Sequence, residues 1–357
     1  MARPLSSSES WNSSLEFLRS LVCSEGCSPR NLSSLRSESP PAPPPFSLPL
    51  LVAVTTACAL LFAVGLVGNL LTMLVVFLFR ELRSTTYLYL SSMALSDLCI
   101  FLLMPVDLYK LWKYQPWLLG DAVCKLSQFM SEGCTYSSIL HITTLSMERY
   151  LAVCFPLRAK VLVTRGKVKL LIGLLWALAL LSAGPVFALV GVELVNGSEP
   201  ECRCTRYALS SGLLSAMMWV SSLYFLVPVC CLSVLYGLIG RKLWRRRDSC
   251  HRDRSHRQTV KMLAVIVLAF VLCWLPFHIG RTLFSMSTGT SEMYAVSQHL
   301  NLVSFVLFYL SAAINPILYN TMSARYRTAV CRLLGHHRRA PRGSRNSTPH
   351  WDSETNL

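Results

Sequence analysis

Charged side chains are scarce in this chain: they make up 15% of its 357 residues, whereas 53% of the residues are hydrophobic. Nearly all the charge lies outside seven long apolar stretches, which begin near residues 49, 85, 121, 165, 209, 258 and 292. Little of the chain is left for a separate soluble domain. As a helix, each stretch reaches the roughly 20 residues that a bilayer core requires. The sequence therefore predicts an all-α membrane protein.

Features that other membrane classes require are also missing. The two halves of the chain show no mutual similarity, whereas secondary transporters are built from internal repeats. A channel needs rings of charge or carbonyl groups, and one midplane aspartate, Asp97, does not supply them. An intramembrane enzyme needs a metal or nucleophile cluster, but His141 has no matching partner and is expected to be a hydrogen-bonded core residue. We therefore predict a membrane protein that is not an enzyme, and keep a transporter as the distant alternative.

Basic residues are distributed unevenly along the chain. Lys and Arg number 34 against 18 Asp and Glu, which gives a net charge of +16. They crowd alternate connections, including the run 245–247, and the C-terminal tail. By the positive-inside rule these segments face the cytosol and the N-terminus lies outside. The excess charge is therefore explained by membrane orientation, and we predict no nucleic-acid partner.

The segments outside the bundle can be divided by composition. Residues 1–47 are rich in Ser and Pro and lack the apolar core of a signal peptide, so we expect an extracellular tail. The membrane domain spans 48–322, an amphipathic helix on the inner membrane surface spans 323–335, and a cytoplasmic tail spans 336–357. Cys331 is a palmitoylation candidate. Glycosylation sequons on the outer side begin at Asn12, Asn31 and Asn196.

Three cysteines lie at the predicted outer end of the helix bundle. Cys124 begins the third stretch, and Cys202 and Cys204 lie in the loop between the fourth and fifth stretches. The oxidising environment there favours a disulfide between loop and helix. Residues two apart in an extended chain point the same way, so geometry does not choose between them. We favour Cys202, and the other cysteine either pairs with Cys23 or Cys27 or stays free.

Several polar residues are predicted to lie deep inside the bundle. Counting about 1.5 Å per residue along each helix places Asn69 and Asp97 in one layer, with Ser138, Ser311 and Asn315 nearby. A carboxylate surrounded by hydroxyl and amide oxygens suits a small hard cation. The alternative is a protonated Asp97 in a hydrogen-bonded network. The residues alone leave both interpretations open.

Motifs recur at fixed places in the later stretches. The third stretch ends in Glu148-Arg149-Tyr150, followed by Leu157 in the next connection. The sixth and seventh stretches contain internal prolines, which remove a backbone hydrogen bond and kink a helix. These prolines stand in the segments Cys273-Trp274-Leu275-Pro276 and Asn315-Pro316-Ile317-Leu318-Tyr319.

Together with Asn69, the Leu95-Ser96-Asp97 triplet, Trp176 and Pro228 with Tyr236, these motifs resemble the rhodopsin-like G-protein-coupled receptors over about residues 48–335. The resemblance implies a seven-transmembrane helix bundle in the plasma membrane, with a short eighth helix. Ligand binding outside would swing the sixth helix outward and open a cytosolic cavity for a G protein. The residues assigned to activation and coupling by this resemblance are Glu148, Arg149, Tyr150, Leu157, Tyr236, Trp274, Pro276, Asn315, Pro316 and Tyr319.

The resemblance also bears on cations and partners. It implies that Asp97, Ser138, Ser311 and Asn315 hold an allosteric sodium ion, although many relatives have Asn at the position of Ser311. No other cofactor is expected. Arrestin, receptor kinases and membrane lipid are the further partners implied, with the serines and threonines of the tail as phosphorylation sites.

Longer runs resemble one group of this family, the ghrelin and motilin receptors. Leu275–Arg281 and Leu310–Asn315 look like both members. Gln258–Ala264 and Val303–Phe308 look more like the ghrelin receptors, whereas Glu132–Tyr136 and Val161–Arg165 look more like the motilin receptors. We predict a motilin-like peptide as ligand, with an acylated ghrelin-like peptide as the alternative. The resemblance implies coupling to Gq/11, phospholipase C and calcium.

Charge and depth predict where the peptide binds. Glu132 lies about 25 Å above Arg149 and Arg281 about 30 Å above Lys261, so both reach the outer half. A partly dry ion pair between them would divide the cavity, and the resemblance implies that role. Further candidate contacts are Asp107, Gln128, Phe277, His278, Phe284, Asn301, Phe305 and Phe308.

Overall fold

The computed structural model describes residues 46–79, 82, 84–113, 116–195, 199–245, 251–286, 291–322 and 324–335. Side chains within these ranges are described except at positions 195, 243–245, 251–259, 262, 263, 280–286, 291–295, 297, 298, 319–322, 324 and 325.

Among the residues that the structure describes, seven long helices carry the chain back and forth. They are α1 (Leu48–Leu78), α2 (Thr85–Trp112), α3 (Gly120–Cys154), α5 (Arg165–Ala183), α8 (Leu213–Arg245), α9 (His251–Met286) and α10 (Ser291–Met322). Short helices lie in the connections: α4 (Pro156–Leu162), α6 (Val186–Leu189) and α7 (Arg206–Ser210). A final helix, α11 (Ala324–Leu333), follows α10.

Within the described residues, five helices are long and apolar enough to cross a membrane by composition alone. These are α1, α2, α8, the segment Arg165–Leu189 and the segment His299–Leu318, and a shorter apolar segment, Ala264–Ile279, lies in α9. The helix α3 stands apart because Ser, Thr, Gln, Glu and His residues lower its hydropathy. Those polar residues are tolerated because α3 packs against α2, α5 and α8, which cover them on several sides.

Glycines let α1 approach its neighbours closely. A Cβ atom at Gly65 would lie 2.1 Å from the Phe101 ring of α2, and one at Gly68 would lie 2.8 Å from Pro316 of α10. No larger residue fits either position without a shift of its neighbour. The α1 helix is thereby seated against α2 and α10, and Asn69 Nδ2 donates to the carbonyl oxygens of Gly65 and Ala312.

The α11 helix begins just inside the predicted span 323–335. Tyr326, Ala329 and Val330 are buried, whereas Arg327, Cys331 and Arg332 are exposed. The Tyr326 hydroxyl is 2.9 Å from Thr72 Oγ1 of α1, a contact that fixes the helix to the bundle. Cys331 lies on the face turned away from the protein.

The outer loop, which the sequence predicts as an extended loop, forms a β-hairpin. Its antiparallel strands are β1 (Val190–Val195) and β2 (Glu199–Cys204), with Val190 opposite Cys204 and Val192 opposite Cys202. In β1 the alternation of apolar residues is only six residues long and is interrupted by glycine, too short a pattern to distinguish a strand from a loop. The hairpin contacts the outer end of α3 and forms a lid over that side of the bundle.

Candidate functional site

The lid is joined covalently to the bundle. A disulfide links Cys124 of α3 to Cys202 of β2, which confirms the predicted choice of Cys202. Asp121 strengthens the connection, because its Oδ1 accepts the backbone N–H of Val192 at 3.0 Å. The same carboxylate pairs with Lys125 at 2.7 Å. Lid and third long helix therefore move as one unit.

Cys204 is also disulfide-bonded and is fully buried, so the interpretation that leaves it free is wrong. Its two predicted partners, Cys23 and Cys27, lie outside the described residues. The N–H group of Trp117 donates to the Pro200 carbonyl oxygen at 2.7 Å, which ties the hairpin to the connection between α2 and α3 as well.

Polar candidates for ligand contact lie on α2 and α3. Gln128 and Glu132 are one turn apart on α3, and both are half-buried. The Oδ2 atom of Asp107 on α2 accepts a hydrogen bond from the Tyr309 hydroxyl at 2.5 Å. Tyr309 was missed by the sequence reasoning, although it follows the predicted Phe305 by one helical turn. It is fully buried and fixes the Asp107 carboxylate against α10.

The predicted pairing of Glu132 with Arg281 stays a prediction. The side chains of Arg281 and Phe284 lie outside the described residues. Asn301 is half-buried on α10, as is Phe305.

Aromatic rings form a layer beneath these polar groups. Trp274 meets Phe308 edge to face at 5.8 Å between centroids and Phe277 at 6.3 Å. His278 stacks on Phe225 of α8 at 4.2 Å. Phe225 was not predicted, because a single Phe in an apolar helix gives no signal of its neighbour. The layer connects α8, α9 and α10, so a ligand that displaces one ring shifts the others.

A small cavity of about 30 Å³ lies under Trp274. This space holds one or two water molecules or a small ion with part of its hydration shell. Its lining includes the four residues predicted to hold sodium: Asp97, Ser138, Ser311 and Asn315.

The oxygen atoms of this cavity fit a hard cation. Asn315 Nδ2 donates to Asp97 Oδ2 at 3.0 Å, which leaves the other carboxylate oxygen for a ligand. The buried Ser138 Oγ has no hydrogen-bond partner among the described residues. Ser311 Oγ donates to the Phe308 carbonyl oxygen at 2.7 Å and keeps its lone pairs. Carboxylate, amide and hydroxyl oxygens are the donors that such ions prefer.

The cytosolic end of α3 is closed by short polar contacts. Glu148 Oε1 lies 2.6 Å from Arg149 Nη2 and accepts the Thr85 hydroxyl at 2.5 Å. The side chains of Glu148 and Arg149 are 6% and 15% exposed, so water screens this pair little. Thr85 was missed by the sequence reasoning because its contact joins two distant helices.

Other predicted coupling residues surround this pair. The Tyr236 hydroxyl of α8 lies 3.1 Å from Ser146 Oγ of α3. Tyr150 packs edge to face on Phe155, at 5.9 Å between centroids. Leu157 on α4 is 80% exposed, as a residue offered to a cytosolic partner would be. The side chain of Tyr319 lies outside the described residues. Pro276 and Pro316 lie inside α9 and α10 as expected.

His141 is a hydrogen-bonded core residue, which confirms the predicted role. Its Nδ1 lies 2.6 Å from the Ser137 carbonyl oxygen, and its Nε2 lies 3.0 Å from Ser92 Oγ. Trp176 Nε1 donates to the same Ser92 hydroxyl at 2.8 Å. The ring thereby connects α2, α3 and α5. Within the described residues no group of three or more His, Cys, Asp or Glu side chains could hold a metal ion.

Predicted modifications are only partly covered by the structure. Asn12, Asn31 and Asn196 lie outside the described residues. Cys331 has a free thiol and is exposed on α11. Palmitoylation there stays a prediction.

Comparison with known proteins agrees with this geometry. Residues 68–319 match the model of the seven-transmembrane receptors of the rhodopsin family. The growth hormone secretagogue receptor type 1 of Oryctolagus cuniculus is 65% identical over 302 residues, which is 81% of this chain and 82% of that protein. Its Homo sapiens counterpart is 64% identical with the same coverage. The motilin receptor of Homo sapiens is 46% identical over 353 residues, which is 85% of each chain. The chain therefore belongs to the rhodopsin family of seven-transmembrane receptors, which are multi-pass proteins of the plasma membrane and not enzymes.

Proposed function

We propose that this receptor responds to a growth hormone secretagogue, an acylated ghrelin-like peptide. The main support for this proposal is a difference in sequence identity. The chain is 64–65% identical to growth hormone secretagogue receptors and 46% identical to a motilin receptor. Sequence motifs alone placed a motilin-like peptide first, and the identities favour the reverse order.

The outer half supplies the chemistry that such a peptide requires. Glu132 and Gln128 offer an acid and an amide to the peptide's N-terminal region, while Phe305, Phe308 and Phe277 offer apolar surface for aromatic or acyl groups. A half-buried carboxylate recognises an amine strongly because little water screens the pair. Paired with Arg281, Glu132 would divide the space between α3 and α9. The lid then closes the cavity from outside.

Signal transmission would pass through the aromatic layer. A ligand that shifts Phe308 or Phe277 moves Trp274, and Pro276 in the same helix supplies the bend at which α9 swings outward. Opening the cytosolic end requires Arg149 to leave Glu148. A G-protein helix, the exposed Leu157 and the Tyr236 hydroxyl would then replace the lost contacts.

The downstream partners follow from the same proposal. Gq/11 would exchange its nucleotide on the open receptor and raise calcium through phospholipase C. Receptor kinases would phosphorylate the tail for arrestin.

A sodium ion beside Asp97 would favour the closed state, since the inner cavity would collapse when α9 and α10 move. Asp97, Ser138, Ser311 and Asn315 would hold the ion, and it would supply positive charge beside a buried carboxylate.

A motilin-like peptide is the second candidate. The observation that favours it lies on α3, the helix that carries Glu132. It is the run Glu132–Tyr136 together with Leu140-His141. Those residues resemble motilin receptors more than ghrelin receptors.

Calcium release tests the proposal directly. Cells expressing the full chain are exposed to acylated ghrelin, des-acyl ghrelin and motilin across a range of concentrations, with surface expression measured in parallel. We expect a response to acylated ghrelin at concentrations at least about a hundredfold below des-acyl ghrelin, since the lost acyl chain forfeits several buried methylene groups. A selective motilin response would transfer the assignment to the second candidate. Silence to all three peptides at normal surface expression would contradict both.

A further inference from the structure

Two hydrogen bonds fix the register between α2 and α3. Ser92 Oγ meets His141 Nε2 at 3.0 Å, and Ser96 Oγ donates to Ser137 Oγ at 3.5 Å. The two helices run antiparallel, so a step of four residues outward on α2 is matched by a step of four backward on α3. Side chains three or four residues apart lie on one face of a helix, so this seam continues along both helices.

The next step of this seam brings two cysteines together. Cys99 lies three residues beyond Ser96, and Cys134 lies three residues before Ser137. Both side chains pack in one cluster, in which Cys134 is buried and Cys99 is partly buried against it. Neither thiol belongs to a disulfide. Register and packing therefore agree in placing Cys99 beside Cys134.

The surroundings of this pair are apolar. Both cysteines belong to a cluster that includes Phe101, Met104 and Met130. Cys134 is fully buried, whereas Cys99 is partly exposed. By sequence, the pair lies two residues beyond Asp97 on α2 and two residues beyond Glu132 on α3. It therefore stands between the inner cavity and the proposed ligand-binding layer.

We propose that Cys99 and Cys134 are an oxidisable dithiol, which a hydroperoxide converts into a disulfide joining α2 to α3. The sulfur of Cys99 attacks the O–O bond of hydrogen peroxide and forms a sulfenic acid, and the first water leaves. The sulfur of Cys134 then attacks this sulfenic sulfur, and the second water leaves with the thiol proton. Two thiols lose two protons and two electrons, and one peroxide is reduced to two waters.

Proximity and polarity both favour this product. A lone buried cysteine is inert, but a sulfenic acid with a thiol beside it condenses to a disulfide before other reactions reach it. The disulfide is uncharged, so its formation leaves no ion in the apolar cluster. Once formed, the bond prevents α2 and α3 from sliding past each other beside Asp97. Oxidised receptor is therefore held in its resting arrangement.

Mass spectrometry of the full-length receptor in membranes tests the bond. Membranes are treated with hydrogen peroxide, the remaining thiols are alkylated, and the protein is digested with trypsin. Cleavage after Arg83 and Lys110 releases Cys99, and cleavage after Lys125 and Arg149 releases Cys134, so a disulfide appears as a linked pair of peptides. We expect this pair in the native sequence and its loss in both Cys99→Ser and Cys134→Ser. Cys58→Ser, which alters another buried cysteine of the same cluster, should leave it in place.

Signalling in the same cells tests the consequence. Peroxide should remove more than half of the maximal calcium response of the native receptor, and Cys99→Ser should be insensitive to the treatment. Absence of the linked peptides, or their persistence in Cys99→Ser, would overturn the dithiol. Linked peptides together with an unchanged calcium response would show that the disulfide does not hold the receptor in its resting arrangement. The linked peptides are measured without any ligand, so failure of the proposed function cannot be mistaken for failure of the bond.

Discussion

The cytosolic and outer halves of the bundle treat their polar groups differently. At the cytosolic end, Glu148 Oε1 accepts the Thr85 hydroxyl at 2.5 Å and lies 2.6 Å from Arg149 Nη2. In the outer half, Glu132 and Gln128 are half-buried on α3, one turn apart. The cytosolic end holds a closed arrangement by these contacts, whereas under the proposed function the outer half recognises the peptide.

This difference separates two tasks. A buried ion pair with a third hydrogen-bonding partner is costly to break, so the cytosolic end determines how rarely the receptor opens unaided. Half-buried acids and aromatic faces contribute binding energy when a peptide covers them. Ligand preference should therefore respond to changes in the outer half, and basal activity to changes in the cytosolic half.

The largest effect should come from detaching the lid. Cys202→Ser removes the bond to Cys124 and should lower the free energy of unfolding by about 2–5 kcal/mol. We expect peptide-evoked calcium release to be abolished and surface expression to fall. Cys230→Ser, which changes an exposed cysteine on α8, is the matched control and should behave as the native receptor. Normal signalling in Cys202→Ser would show that the lid does not shape the site.

Overpacking between α1 and α2 should reduce the stability of the receptor without changing its ligand preference. Gly65→Ala drives a methyl group into the ring of Phe101, which is fully buried and has no free space to enter. The expected loss is about 1–3 kcal/mol, seen as a lower melting temperature of purified receptor.

The matched control for this change is Gly173→Ala. No atom lies within 4 Å of a Cβ at Gly173, so alanine should leave the melting temperature unchanged or raise it through better helix propensity. Equal melting temperatures for Gly65→Ala and the native receptor would contradict the close seating of α1.

The smallest effect should come from the cytosolic closure. Thr85→Val removes one hydrogen bond from Glu148 and keeps the ion pair. The loss of about 0.5–1.5 kcal/mol from the closed state corresponds to a rise of about two- to tenfold in basal signalling, measured as inositol phosphate without ligand. Thr143→Val is the control, because its hydroxyl bonds only within α3, to the Ile139 carbonyl oxygen. Equal basal signalling in both variants would show that the Thr85–Glu148 hydrogen bond does not stabilise the closed state.

Sequence reasoning was most successful where a residue's role is local. The disulfide cysteine, the prolines inside α9 and α10, and the ion pair at Glu148-Arg149 could all be read from position and motif. The prolines and the ion pair each depend on one helix, and the disulfide depends on the oxidising side of the membrane.

Contacts between distant helices escaped prediction. Thr85 with Glu148, Tyr309 with Asp107, and Phe225 with His278 each join two helices, and single-sequence periodicity contains no information about rotation between neighbours. The hairpin escaped because two six-residue strands give too short a pattern to distinguish them from a loop. The order of ligands was inferred from a few short motifs, whereas identity over the whole chain weighs all helices together.

Peptide potency at Glu132→Gln tests the central claim most directly. The variant keeps the shape of the side chain and removes its charge, and Glu199→Gln, which changes the exposed first residue of β2, is the matched control. With surface expression equal to that of the native receptor, we predict that half-maximal calcium release needs at least about tenfold more peptide, while basal signalling is unchanged. Unchanged potency in Glu132→Gln, or an equal loss in Glu199→Gln, would contradict recognition of the peptide by the outer half of α3.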